Sequence, residues 1–435
     1  MNNAVALSIF ASRMAAVCEE AGALLQRAAF SPNIKDRLDY SCAIFDSYGE
    51  LCAQAAHIPV HLGSMAFAMR DIVPALEWHA GDCIVLNDPY LGGTHLPDVT
   101  LIQPVFSHKT LIGFVANRAH HANIGADQPG SMPIASTLAE EGIIIPPTHL
   151  VEQGTLNHAV LLELSGGGDD VRLRGDFLAQ ISACNIAAQR LGELVARDGD
   201  ATYLANIAAL NAYAESLALE SWKAIPDGVY HYTDYMDDDG LGLRDIPITL
   251  SLTLKEGLID ADFSGSSPQV NGNINCPLSV AAAAVFYVFR CLLPEHVPAC
   301  AGVFRPITLR AELGSLVNAK RPAAVAAGNV ETSSRMVDVV FGALAQALPN
   351  SIPAASQGTM NNIAMGWAAQ HPTEQSWDYY ETLGGGSGAS AEGNGMSARQ
   401  THMTNTLNTP VESIESHYPI RITEYAIRRL SLIPI

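Results

Sequence analysis

Apolar and polar positions alternate along the chain in ways that predict its elements. Leu7, Phe10, Met14, Val17 and Ala21 recur at spacings of three and four, which predicts an amphipathic helix over 4–29, ended by Ser31-Pro32-Asn33. From Tyr40 to about Cys52, alternation around FDSYGELC predicts a hairpin. Residues 83–145 hold the short runs CIVLND, VTLIQPVF, LIGFVANRAH and GIIIPP. These read as strands, joined by Gly- and Pro-rich loops of the kind that carry sites. SGGGDD at 165–170 predicts a flexible break. Residues 175–222 predict two Ala- and Leu-rich helices ending near the Pro-Asp-Gly at 226–228. VYHYTDYM, ITLSLTL and LIDADFSG predict strands, 278–293 and 335–348 buried helices, and 384–398 a Gly-rich loop. No internal repeat is visible. The sum is an α+β fold, multi-lobed, with mixed sheets and a helical middle segment. The expected divisions are an α/β region over 1–170, the helical segment over 171–225 and a mixed α/β region over 226–435.

Composition narrows the function. The chain has 435 residues, 48% hydrophobic and 16% charged, enough to bury a large core and too apolar for disorder. Asp and Glu number 44 against 24 Lys and Arg, a formal charge of −20. Phosphate backbones and anionic membranes repel such a surface, so neither nucleic acid nor membrane is an expected partner. The most apolar stretch, Leu278 to Phe289, is too short to span a bilayer, and the start has no basic leader. Eight cysteines without a C-x-x-C pair sit in apolar surroundings, which predicts reduced core thiols and a cytoplasmic location.

Three constellations carry candidate chemistry. In NDPYLGGTHLPDVTL, His95 and Asp98 stand three apart across Pro97, behind Gly92 and Gly93, which permit a tight turn. A nitrogen and a carboxylate aimed into one cleft make half of a metal site; a polar turn explains the spacing equally well. In ANRAHHANIG, His120 and His121 end a predicted strand, where neighbours face opposite sides, so only one can join a given site. In KDRLDYSCAIFD, Asp36, Asp39 and Asp46 read first as solvated charges. His57 and His61 are four apart, but Pro59 between them argues against a helical pair, leaving core or loop histidines first and pocket lining second. No phosphate-binding G-x-x-x-x-G-K-[ST] loop and no G-x-S-x-G elbow is present, so any ATP is bound by another chain.

These segments, with SPNIKDRLDYSCAIFDSYGELC, IPDGVYHYTDYMDDDG, DFSGSSPQVNGNINCPL, PAAVAAGNVETSSRMVD, ASQGTMNN and THMTNTLNTPVESIE, resemble the hydantoinase B/oxoprolinase family, specifically its N-methylhydantoinase B-type subunits, over nearly the whole chain. The resemblance implies a two-component, hetero-oligomeric enzyme. A hydantoinase A-type, ATP-binding partner phosphorylates a small cyclic amide (a hydantoin, 5-oxoproline or a lactam), and the B-type chain holds a metal and completes ring opening. Carried over by motif, the metal ligands fall on Asp39, His95, Asp98 and His120, which makes 1–170 the metal-binding region. Two nitrogens and two carboxylates suit one divalent transition metal, Zn, Mn or Fe. His121 and Glu141 of AEEGIIIPP are candidate general acids, each also explained as a support for a ligand. Two alternatives stay open: the large subunit of an ATP-dependent ketone carboxylase of the acetone or acetophenone type, and a shortened, non-catalytic B-type subunit. The sequence departs from the family pattern at Asn123, Asn394 and Gln400, each in place of a charged or imidazole residue. A C-terminal Gly- and Arg-rich region is expected to be missing after YPIRITEYAIRRL.

Overall fold

The computed structural model describes residues 4–55, 58–165, 171–369, 371 and 376–427. His57, residues 166–170 of the predicted break and the final SLIPI lie outside the described residues.

Helix α1 (Ala4–Ala28) buries the predicted stripe of Leu7, Phe10, Met14, Val17 and Ala21. Ser31 then caps the single turn α2 (Pro32–Lys35) through a bond from the Asn33 backbone. The hairpin forms as expected from β1 (Tyr40–Asp46) and β2 (Leu51–Gln54). They join β3 (Cys83–Leu86), β4 (Asp98–Ser107), β5 (Thr110–His120), β6 (Thr148–Glu152) and β7 (Thr155–Leu156) in one antiparallel sheet. Its order is β2-β1-β5-β4-β3-β6-β7.

Helix α3 (Pro59–Ala75) is unpredicted. Pro59 occupies its first turn, where the missing N–H costs nothing and the fixed φ favours the helix, so the proline starts the element instead of breaking it. The short α4 (His158–Leu164) leads to the two middle helices, α5 (Val171–Asp198) and α6 (Asp200–Trp222). Helix α5 lies across β4, β5 and α1.

A second sheet holds β8 (Gly228–Asp238), β9 (Arg244–Lys255), β10 (Leu258–Asp262) and β11 (Ile307–Arg310), with β10 and β11 parallel. The predicted buried helices are α7 (Leu278–Cys291), packed on α3, and α8 (Ser333–Ala347), packed on β8 and β9. A two-stranded sheet, β12 (Asn362–Trp367) and β13 (Trp377–Thr382), and α9 (Val411–His417) follow. The architecture is α+β, with several open sheets and a helical middle segment. One cluster of buried apolar residues runs from Phe10 to Met403 and draws on both larger sheets and the helices between them.

Two expectations are corrected. GIIIPP is not a strand: the Asn87 side chain donates to the Leu96 and Ile143 carbonyls and accepts from the Ile145 N–H, replacing ladder bonds with side-chain bonds. Cys291, at the end of α7, is exposed; the other cysteines are buried, and all are free. Among the described residues, no helix is long and apolar enough to cross a membrane.

Candidate metal centre

The sheet brings three chain segments to one end. Asp98 opens β4 and His120 closes β5, and the antiparallel register sets them directly opposite. Asp39 immediately precedes β1, and its carbonyl accepts from the His120 N–H at 3.0 Å. His95 comes from the loop before β4, where Asp88 caps a turn at Pro89–Leu91 and Gly92 takes φ +99°. A Cβ on Gly93 would lie 2.4 Å from the Asn87 carbonyl oxygen, so this loop closes only with glycine there.

His95 Nε2 lies 3.2 Å and His120 Nδ1 3.1 Å from Asp98 Oδ1. The ligand atoms of these three residues lie within 4.8 Å of one another. Asp39 lines the same cavity, its carboxylate 3.6 Å from Arg37 Nη2 and 3.8 Å from His61 Nε2. Asp39, His95, Asp98 and His120 are all buried. The cavity has about 20 Å³ of free volume, room for one ion or water. His95 Nδ1 donates to the Ala326 carbonyl at 3.2 Å, which leaves Nε2, 3.2 Å from Asp98 Oδ1, as the nitrogen a metal would take. The His120 ring stacks on Tyr380 at 4.9 Å, and its Nε2 is buried with no hydrogen-bond partner.

Burial alone would raise the Asp98 carboxyl, but His95, His61 and His120 outweigh it and hold the group well below its ordinary range. Burial pulls His95 down, and Asp98 more than restores it, leaving it raised. His120 is lowered by burial, which its bond to Asp98 offsets only in part. Two imidazole nitrogens and a carboxylate oxygen within 4.8 Å of one another, with a second carboxylate in the wall, fit a divalent transition metal.

The hydantoinase B/oxoprolinase family profile matches residues 3–432. The chain belongs to that family. It is 37% identical to 5-oxoprolinase 1 of Arabidopsis thaliana over 98% of its own length and 35% of the plant protein's. It is 32% identical to a Pseudomonas protein named as the B component of a D-/L-hydantoinase, over 95% of this chain and 72% of that one. The crystal structure of an ATP-dependent caprolactamase from Pseudomonas jessenii superposes with a TM-score of 0.88 at 26% identity, covering 98% of this chain and 74% of the other. An acetone carboxylase shares the fold, with a TM-score of 0.86 at 18% identity over 95% of this chain and 58% of that one.

Within this hydantoinase B/oxoprolinase chain, the candidate general acids stand outside the cavity. His121 faces the opposite side of the strand from His120, as alternation requires, and packs on Phe177 with Nε2 2.8 Å from Gln180 Oε1. Burial lowers it to about 4. Glu141 lies behind His95, accepting from the Val325 and Ala326 N–H groups at 2.8 Å each, and burial raises it to about 7. The departures from the family pattern also lie away from the ligands. Asn123 donates to Asp378 at 2.7 Å, where a carboxylate would be repelled, and Gln400 donates to the Thr382 carbonyl. Asn394 is exposed, and His402 pairs with Asp338 at 2.8 Å.

The sequence pattern places His61 in the core first and does not reach Asn329 or Tyr380. All three line the cavity. The helix-starting role of Pro59 is the signal available for His61. Asn329 belongs to a turn of π-helix, Gly328–Thr332, and Tyr380 comes from β13; both meet the ligands only through long-range packing.

Proposed function

We propose that this chain is the B-type subunit of a two-component, ATP-dependent cyclic amidohydrolase, opening a hydantoin, 5-oxoproline or lactam ring. The observation that carries the reading is the buried convergence of His95, Asp98 and His120, with Asp39 in the same wall, in a chain whose relatives include a 5-oxoprolinase and a hydantoinase subunit. The resonance-stabilised amide would be activated by phosphorylation at the ATP site of an A-type partner. One divalent metal, held by Asp39, His95, Asp98 and His120, would lower the pKa of a bound water and supply hydroxide near neutral pH.

The chain's own residues do the rest. The Ala326 carbonyl orients His95, and Glu141 orients Ala326 by binding its N–H. Tyr380 fixes the plane of His120, and Arg37 lies 5.0 Å from the centre of the Tyr380 ring while pairing with Glu381 at 3.1 Å. Ile58, Val60, Val330, Met360 and Met403 exclude bulk water, which strengthens every charge interaction inside. The cavity takes an ion and not a ring, so its wall has to open for substrate. His121 and Glu141 act as positioning residues in this scheme. Relatives above 30% identity favour hydrolysis; the carboxylase reading rests on fold alone.

The test is co-expression with an A-type subunit and an ATP-dependent ring-opening screen over hydantoins, 5-oxoproline and lactams. Asp98→Asn should reduce turnover at least about a hundredfold, since losing a ligand should cost no less than the roughly 10- to 100-fold typical of losing a group that only supports one. Turnover unchanged by this substitution would refute the reading.

A further inference from the structure

The geometry points to His61 as a positioning residue that sets Asp98 for one-oxygen coordination by donating a hydrogen bond to its other oxygen. The two oxygens of Asp98 have different neighbours. Oδ1 faces His95 Nε2 and His120 Nδ1. Oδ2 accepts from Thr94 Oγ1 at 2.5 Å and lies 3.1 Å from His61 Nε2. With Thr94 and His61 both on Oδ2, a metal held between the His95 and His120 nitrogens would take Oδ1, the oxygen those two rings face.

The ring's neighbours on both sides suit a proton on Nε2 of His61. The Ile58 N–H donates to Ser41 Oγ at 3.2 Å. The Ser41 hydrogen is then free to point at His61 Nδ1, 3.4 Å away. Asp98 Oδ2 can only accept, so Nε2, 3.1 Å from it and 3.8 Å from Asp39 Oδ1, carries the proton and leaves Nδ1 to accept from Ser41. His61 is 1% exposed, and Ser64, one turn on, bonds the Val60 and His61 carbonyls, so the ring is held on a rigid first turn of α3. An N–H donor between the two carboxylates holds them close without adding a ligand.

The inference rests on the metal-centre reading, and the experiment separates the two. Chelator-stripped protein is titrated with Co²⁺ against a chromophoric competitor, and the visible spectrum of the bound ion is recorded. Wild type should take up one equivalent. His61→Leu should weaken Co²⁺ binding roughly 10- to 100-fold, as loss of an outer hydrogen bond to a ligand does, with band positions and intensities unchanged. His61→Gln, which restores an N–H donor, should recover most of the affinity. Ser41→Ala leaves the ring in place and frees its tautomer; it should cost roughly 3- to 10-fold and keeps the test decisive if the leucine variant fails to fold. A changed spectrum in His61→Gln would make His61 a ligand and overturn the inference. Affinities within twofold of wild type in all three variants would also overturn it. Wild type that binds no Co²⁺ would remove the metal centre and this inference together.

Discussion

Asp98 is a fully buried carboxylate among three imidazoles, and its ionised form survives there only because each ring supplies a positive or proton-donating edge. Glu141, distant from every ligand in sequence yet tied to His95 through Ala326, shows the opposite case. Its carboxyl is raised to about 7 from 4.5, chiefly by burial. A group raised on folding contributes most stability below its unfolded value, and that contribution is lost as pH rises through the folded value. For Glu141 the loss falls between about pH 4.5 and 7. Glu141→Gln is neutral at every pH and keeps the acceptor for Val325 and Ala326. Its stability relative to wild type should therefore climb from pH 5 to pH 8, by up to about 3 kcal/mol. Urea denaturation at the two pH values checks this, and an offset that does not change with pH would count against a buried, proton-holding Glu141.

At the scale of elements, the centre depends on backbones in close approach. Gly93→Ala would push a Cβ to within 2.4 Å of the Asn87 carbonyl and 2.8 Å of the Asp88 carbonyl, both backbone atoms that cannot step aside. The variant should lose about 1–3 kcal/mol from overpacking and most of its metal affinity, because the same loop carries His95. Thermal denaturation alongside metal titration measures both. That loop is legible in sequence: two glycines, a proline and a His-x-x-Asp spacing declare a tight turn presenting polar groups. The β4 and β5 runs are legible too, and alternation correctly separates His120 from His121. Spacing does not tell Asp39 from Asp36 or Asp46, because only the β1–β5 pairing brings residue 39 beside His120; the family resemblance makes that choice. Helix α3 is hidden because a proline that begins a helix has the same letter as one that breaks it. The β13 contribution joins residues more than 250 positions from Asp98, a separation that no local pattern encodes.

For the molecule as a whole, the proposed function divides labour between two chains. The chain spans 72% of the Pseudomonas hydantoinase component and 35% of the plant 5-oxoprolinase. Without a phosphate loop, the chain alone should bind ATP too weakly for isothermal calorimetry to detect at micromolar concentrations, and should bind it only in complex with an A-type partner. A phosphorylated cyclic amide would hydrolyse in open water, so the proposed function calls for an enclosed path between the two sites, and the chains should co-elute on sizing chromatography. Tight ATP binding by the isolated chain would break this division. The most direct test of the account is metal reconstitution of the co-purified complex. The chelator-stripped complex is titrated with Zn²⁺, Mn²⁺ or Fe²⁺ while ATP-dependent ring opening is followed. Activity should be absent at the start and rise linearly to a plateau at one metal per B-type chain. Full turnover in the stripped complex, indifferent to added metal, would contradict it.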